Sequence, residues 1–562
     1  MEEKTVYSYH TFLYPFLWND IDGNHSIDVF ETKLKLESAG WSQDDMVSKK
    51  NGEINLTSVV NNESQDEQRL DYQTFQYFNP AARKALFRED GEIVHGWKYR
   101  SGDVHNKAEY KIFEKGSDNP YVLNINHIRL RLFNTGVGIL VFELEYPMPN
   151  EGVKKARQDI RAINELGRRV FPEFLPEQPE IFMGSLFATR IEIVVDENHF
   201  EENLYCRSGL HGEQSYLRDP LHKQSFLFTL LGYDSNSTIS ITPAVDDRMF
   251  VCCCIMDPDY TEHFLYRSYQ DPSLEKTELS EEEKKFSMQN KQPMFLDNWD
   301  VGTELYALTN IDYKDSSCQN RVMLNQYFED QLYLRWTEIG YSTIYSVTNH
   351  SMICLTGDRK YVTAPVVNPF LIEYIQLCIL VLAQRASLIA FDSRITEAIS
   401  RDDEKEIITD KLLTLSKDFA KFQGQILIPE ATPQIQGIEL YGKLQRMLFI
   451  EKLQNNVLSQ MSSLSGMAQY EQERRQQKMD KDLEEQQFKT GLFFNVIAAV
   501  TIVSVLIDLF NYIVWFVSPH DDICLPSWWI MMIIDVILIL TVAGRSISLI
   551  HDKKKKEKEK DE

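Results

Sequence analysis

The sequence predicts an α+β cytosolic N-terminal domain, then a long-helix stalk, then two C-terminal transmembrane helices. Three observations carry that expectation. Alternating strand patterns and turn residues fill much of the first 365 residues. An apolar stripe at spacings of three and four begins at about Gly437. Two almost wholly apolar runs, 491–517 and 526–550, close the chain, each longer than the ~20 residues a helix needs to cross a bilayer.

Composition narrows the function. The 562 residues carry 59 Lys+Arg against 84 Asp+Glu, a net charge of -25. A general nucleic-acid binder needs a basic surface, so no direct nucleic-acid binding is expected. The N-terminus, "MEEKTVYSYHTFLYPFLW", lacks the basic and apolar regions of a signal peptide, which places the bulk of the chain in the cytosol. The eight cysteines form no CxxC pair, and no metal site is expected. Cys252, Cys253 and Cys254 in "RMFVCCCIMD" read as small buried strand residues.

The region 1–365 reads as the ligand-sensing domain. In "YVLNINHIRLRLFNTGVGILVFELEYP", Ile128, Leu130 and Leu132 alternate with Arg129 and Arg131. The "NTGVG" turn then leads into a second apolar strand, which makes a hairpin. "SLFATRIEIVVD" and "DDRMFVCCCIMD" are further strands, while "NPAARKALF" and "ARQDIRAINELGRRVFPEFL" read as helical. The polar stretches 45–70 and 272–292 read as surface loops. No phosphate loop, HExxH or GxSxG is found, so no enzymatic activity is expected. Arg129, Arg131, Arg190 and Arg248 are the cations best suited to an anionic ligand.

Residues 366–490 are expected to form a helical bundle and stalk. The apolar stretch 368–395 resembles a membrane span, but Glu373, Gln376, Gln384 and Arg385 interrupt it, so a buried bundle helix is expected. An amphipathic helix comes next in "SRDDEKEIITDKLLTLSKDFAKFQG". From about 437 to 517 the pattern allows one helix about 120 Å long, at 1.5 Å per residue. A break near Gly466 into two ordinary helices is the alternative.

The membrane region is expected to comprise a pore-lining span 491–517, an outer loop 518–525, a second span 526–550 and a basic tail 551–562. Lysine and arginine flank both ends and are absent from the loop, so both termini face the cytosol and the chain is a multi-pass protein of the inner (cytoplasmic) membrane. Trp515, Trp528 and Trp529 suit the outer interface. Thr501, Ser504, Asp508 and Asn511 fall within an arc of roughly 80° on one helix face. In a ring of identical subunits that face would line a water-filled path, with Asp508 favouring cations. Phe494 and Ile497, with Thr490 nearer the cytosol, would form an apolar neck able to close by dewetting. Asp535, in the second span, is read as a neighbour of the pore helix.

A soluble head, a long helix continuing into the first span, a short outer loop, a second span and a lysine-rich tail together resemble the CorA family. That resemblance implies a homo-oligomer, a pentamer by the family's pattern, whose first span lines a divalent-cation path. The family's Gly-Met-Asn motif is absent; the corresponding region reads "DLFNYIVWFVSPHDD". The phrases "YHTFLYPFLW", "YFNPAARKALF", "FNTGVGILVFELEYP", "INELGRRVFPEFL" and "DDRMFV" look similar to CorA-like proteins found beside type III CRISPR systems. This second resemblance implies a head that senses a nucleotide second messenger, such as a conjugate of S-adenosylmethionine and AMP, in antiviral defence. Three rivals stay open: a housekeeping Mg2+ transporter gated by its own divalent cation, a membrane-tethered nucleotide-processing enzyme, and a scaffold with no ion flux at all.

Overall fold

The computed structural model describes residues 5–20, 24–44, 47–50, 53–56, 74–87, 93–99, 108–114, 117, 119–170, 188–204, 226–233, 238–246, 248–265, 293–313, 315–336, 341–400 and 405–517, with six helical residues between 533 and 544. The chain divides into two compact units, Met1–Ser462 and Ser463–Glu562. The first is an α/β unit built on a mixed sheet.

The strands are β1 (Val6–Asp20), β2 (Trp41–Gln43), β3 (Val47–Lys50), β4 (Glu53–Leu56), β5 (Val94–Tyr99), β6 (Ala108–Glu114), β7 (Tyr121–Phe133), β8 (Val137–Pro147), β9 (Ala188–Val195), β10 (Asn198–Asn203), β11 (Ile239–Pro243), β12 (Phe250–Met256), β13 (Leu332–Trp336), β14 (Thr343–Val347) and β15 (Ser351–Thr356). The main sheet runs β10-β9-β6-β7-β8-β1-β12-β15-β14-β13, with β11 beside β1 and the β5–β2 pair branching from β7. β12 and β15 pair in parallel; the other pairs described are antiparallel. The β3–β4 pair stands apart, so 45–70 is not simply a loop as the polar sequence suggested: eight of its residues form a small hairpin. The stretch 272–292 lies outside the described residues.

β1 changes neighbour midway. Its residues 8–13 pair with β12 and its residues 16–20 with β11. Pro15 sits at the changeover, where a residue lacking an N–H donor costs least. The β7–β8 hairpin turns on Asn134, Thr135 and Gly136, with Gly136 at φ 78 and its N–H bonded to the Phe133 carbonyl at 3.0 Å. Only glycine takes that conformation without strain.

Helices cover both faces of the sheet. The longer ones are α1 (Ile27–Leu34), α2 (Pro80–Leu86), α3 (Val153–Gly167), α4 (Pro258–Leu265), α5 (Trp299–Asn310), α6 (Arg321–Gln331), α7 (Ile375–Ser400), α8 (Lys405–Gln425), α9 (Ile435–Met447) and α10 (Ile450–Val517). Asn79 caps α2 by accepting from the Ala82 N–H at 2.9 Å. α3 packs on one face: His10 Nδ1 meets Asn164 Oδ1 at 2.7 Å, and Tyr110 donates to the Gly167 carbonyl at 2.9 Å. α7 packs on the other, where the Cys378 and Met352 sulfurs lie 3.7 Å apart. Cys252 interacts with Cys378 of α7, and Cys253 with Asn164 of α3. The three-cysteine run is therefore the middle of a strand buried on both faces, where an unbroken apolar sequence is expected.

α7 is wrapped on nearly every side; Leu377, Leu380, Val381, Gln384 and Leu388 are all fully buried. The Gln384 amide is satisfied, because Nε2 donates to the Ile426 carbonyl and to Tyr441, each at 2.8 Å. Segment 359–398 is long and apolar enough to cross a membrane, yet 72% of its most apolar window is buried inside this unit.

The helix expected over 437–517 is interrupted, and the interruption is not at Gly466. α9 and α10 are separate because Phe449 adopts φ 57. The Leu448 N–H still reaches the Leu444 carbonyl at 2.9 Å, and the Leu453 N–H then bonds the Phe449 carbonyl at 3.0 Å to begin α10. Burying Leu448 alongside Leu440, Leu444 and Ile450 fixes the turn without a glycine or proline. Gly466 lies inside α10, a helix of 68 residues, and a Cβ there would meet nothing within 4 Å.

Candidate functional site

Two places in the described residues have the chemistry the sequence points to: the apolar end of α10, and a cavity in the first unit. Segment 473–511 is the second helix long and apolar enough to cross a membrane, and only 6% of its most apolar window is buried. Phe493, Val500, Ile502, Val505, Leu509 and Val517 are all exposed, and they point in several directions around the helix. Exposing that much apolar surface to water is costly, so lipid or protein must cover it. Thr501, Ser504 and Asn511 are exposed on this helix, with Phe494 and Ile497 exposed before them. Thr501 Oγ1 donates to the Ile497 carbonyl at 2.8 Å, the usual way a helix satisfies a hydroxyl that has no water to bond. Asp508 lies on α10 between Ser504 and Asn511. Asp535, the loop 518–525 and the tail 551–562 lie outside the described residues; in the second run Ile533, Val536, Ile537, Leu540, Thr541 and Gly544 are described, and all are helical.

The cavity holds about 490 Å³ and lies between the start of α1, the β7–β8 turn and helices α7 and α8. Asn24, His25, Ser26 and Asp28 form one wall, His95, Asn134 and Thr135 a second, and Phe391, Arg394, Asp418, Lys421, Phe422 and Gln425 the third. The turn is clipped to the helices. Arg394 donates to the Thr135 carbonyl at 2.6 Å, Thr135 and Ser387 share a hydrogen bond of 2.7 Å, and Asn134 Nδ2 donates to Gln425 Oε1 at 3.2 Å. A Cβ on Gly136 would fall 2.8 Å from both Arg394 and His25, so this wall needs a glycine for space as well as conformation. Two residues before Arg394, Asp392 accepts from Asn456 at 3.0 Å and Gln460 at 2.8 Å, both on α10. Two phenyl rings, two imidazoles, two cations and two carboxylates around one space suit a small polar ligand with a flat apolar part.

The four arginines chosen from the sequence do not converge. Arg129 and Arg131 share β7, where Arg131 pairs with Asp44 at 2.9 Å and Arg129 with Glu143 at 3.4 Å. Burial there would raise the Asp44 carboxyl, but Arg131, Arg129 and Lys98 override it and hold it down to about 2. Burial, with Arg129 and Lys98 adding, pushes the neighbouring His127 down to about 2. Arg190 pairs with Glu192 at 3.0 Å on β9, and Arg248 with Asp246 at 3.0 Å before β12. None lines the cavity. Its residues come from segments as far apart as 24–28 and 418–425, and no local pattern in the sequence marks them. "NTGVG" was the one signal, and it reported the turn rather than the wall.

Two clusters among the described residues bring three ligand atoms within 4.8 Å: Asp28, Glu31 and His95; and Glu192, His199 and Glu201. In the first, Glu31 Oε1 already accepts from His95 Nδ1 and from Trp97 Nε1, each at 2.7 Å. That carboxylate ties β5 to α1 and orients the imidazole. A search of protein families, of curated proteins and of solved structures finds no match to this chain.

Proposed function

We propose that this chain is the subunit of a ligand-gated membrane channel of CorA-like architecture. The observation that carries the reading is the exposed apolar end of α10 with its line of Thr501, Ser504, Asp508 and Asn511. A lone helix gains nothing from such a line; a ring of copies, a pentamer by the CorA resemblance, gives it a water-filled path to face. The neck is Phe494 and Ile497. The chain sits in the inner membrane with both termini in the cytosol.

The cavity supplies the sensor. A ligand there touches the β7–β8 turn and α7 together, and Asp392 links α7 to the first turns of α10. Binding shifts the closed–open balance only as far as the ligand prefers one arrangement. By resemblance, the ligand is a nucleotide second messenger, the S-adenosylmethionine–AMP conjugate, and the setting is type III CRISPR antiviral defence.

The test is ion flux from liposomes carrying the purified protein, with and without that conjugate, and again with Asp508→Ala. The expected result is flux only with ligand, reduced or altered in selectivity by the substitution. Flux without ligand, blocked by Mg2+, would replace this reading with a divalent-cation transporter. No flux from an assembled oligomer would leave the helices as tethers and return attention to enzymatic activity in the first unit.

A further inference from the structure

The cavity wall where α1 meets β5 brings three metal-ligand side chains together. His95 and Trp97 are two residues apart on β5, so both side chains leave the same face of the strand. Asp28 and Glu31 are three apart on α1 and share a face of that helix. The two faces meet, because Glu31 Oε1 accepts from His95 Nδ1 and from Trp97 Nε1, each at 2.7 Å. One ligand atom from each of Asp28, Glu31 and His95 lies within 4.8 Å of the other two. His95 and Glu31 are mostly enclosed, with 8% and 17% of their side chains exposed, while Asp28 is open to solvent. Asp28 and His95 both line the 490 Å³ cavity.

These side chains have what an ion would need. Ligating carboxylates are themselves held by hydrogen bonds, and Trp97 supplies one to Glu31. Two atoms each about 2.1 Å from one ion, and at right angles to each other, lie about 3.0 Å apart. The 2.7 Å between His95 Nδ1 and Glu31 Oε1 has to open only slightly for an ion to take the place of the proton between them, the imidazole then carrying its proton on Nε2. Asp28, exposed in the first turn of α1, has room to swing onto the ion. The N-terminal end of α1 contributes about +0.5 of a charge, and two carboxylates outweigh it.

We propose that Asp28, Glu31 and His95 bind a divalent transition-metal ion of the Mn2+ to Zn2+ class in the wall of the cavity. One nitrogen and two carboxylate donors suit these ions, whereas Mg2+ and Ca2+ prefer oxygen alone. Three protein ligands leave positions on the ion for water, or for an oxyanion of a molecule held in the cavity. That last role rests on the reading of the cavity as a ligand sensor; the ion site itself does not. The other cluster, Glu192, His199 and Glu201, is the weaker candidate. Arg190 already pairs with Glu192 there at 3.0 Å, and none of its residues lines the cavity.

The test adds Mn2+ to chelator-stripped, full-length protein in detergent and follows it by electron paramagnetic resonance. Loss of the free-ion signal gives the affinity, and pulsed spectra show whether an imidazole nitrogen is bound to the ion. Carboxylates elsewhere on the chain give no such nitrogen coupling. A nitrogen-coupled Mn2+ is expected, displaced by Zn2+ but not by an equal concentration of Mg2+. Asp28→Asn should weaken it by about tenfold or more, the scale on which metal sites lose affinity when a supporting group goes. His95→Gln should abolish the nitrogen coupling; Asp28 is exposed, so Asp28→Asn keeps the test decisive where His95→Gln does not fold. His199→Gln is the control and should change neither readout. No nitrogen-coupled Mn2+ at millimolar concentration overturns the proposal. So does one that Asp28→Asn leaves at full affinity, that Mg2+ displaces as well as Zn2+ does, or that vanishes with His199→Gln. The readout is independent of flux, so a missing ion would leave the channel reading standing, and missing flux would leave the ion site standing.

Discussion

His10 and His350 are buried imidazoles held neutral by their surroundings. Burial pushes each down to about 4; for His350 the Arg168 charge adds to the effect, and for His10 the hydrogen bond to Asn164 opposes it. An unfolded histidine titrates near 6.5. The folded values lie below the unfolded one, so the stabilisation is complete above about pH 6.5 and is lost as pH falls toward about 4. Melting temperature should therefore drop between pH 7 and pH 5, before most carboxylates titrate. A flat profile over that window would show that neither imidazole stays neutral. The His10 ring is held at both nitrogens, with Asn164 Oδ1 2.7 Å from Nδ1 and Ser8 Oγ 2.9 Å from Nε2, so burial rather than a missing partner keeps it neutral.

At the scale of elements, local pattern and tertiary demand part company. The β7–β8 hairpin was legible because alternation and a Gly-containing turn are local signals. The buried α7 was legible because Gln384 and Arg385 interrupt an otherwise apolar run, and the cysteine strand because both its faces are apolar. The break between α9 and α10 was not. Leu448 and Phe449 continue the apolar stripe, and what ends the helix is the burial of Leu448 together with a left-handed Phe449, 52% exposed. Gly138 hides a similar constraint: any side chain there would overlap the Phe16 ring, yet the sequence shows only a glycine inside a strand. Left-handed geometry costs a non-glycine residue about 1–2 kcal/mol. Phe449→Gly should then stabilise the protein by about 1 kcal/mol in thermal unfolding, because the half-exposed ring gives up little contact. A loss of stability would mean that the ring is held by more than its exposure suggests.

On the scale of the whole molecule, the chain divides where its chemistry changes. The first unit, Met1–Ser462, buries its apolar side chains around the sheet; beyond Ser463, α10 carries exposed polar residues and then exposed apolar ones. A chain ending at Ser462 should stay in solution without detergent and keep its folded circular-dichroism signal, whereas the full chain should need detergent or lipid. Aggregation of the short form would show that the first unit depends on the rest of α10 for its solubility. The candidate sites were legible to different degrees for the same reason. The polar line on α10 is one helix read at 100° per residue, so the sequence displays it directly. The cavity draws residues from segments hundreds of positions apart, and only the folded chain assembles them.

The cysteine strand has one more consequence. Cys252, Cys253, Cys254, Cys318, Cys354 and Cys378 are all buried and unpaired by disulfides. The thiols of Cys252 and Cys254 are raised well above their usual range, Cys252 chiefly by burial and Cys254 chiefly by its hydrogen bond with the Cys354 thiol. Such thiols are inert to alkylating reagents while the sheet is closed and become reactive once it opens. The centre of the sheet therefore carries a chemical clock, and its rate of labelling measures how often the core of the first unit comes apart.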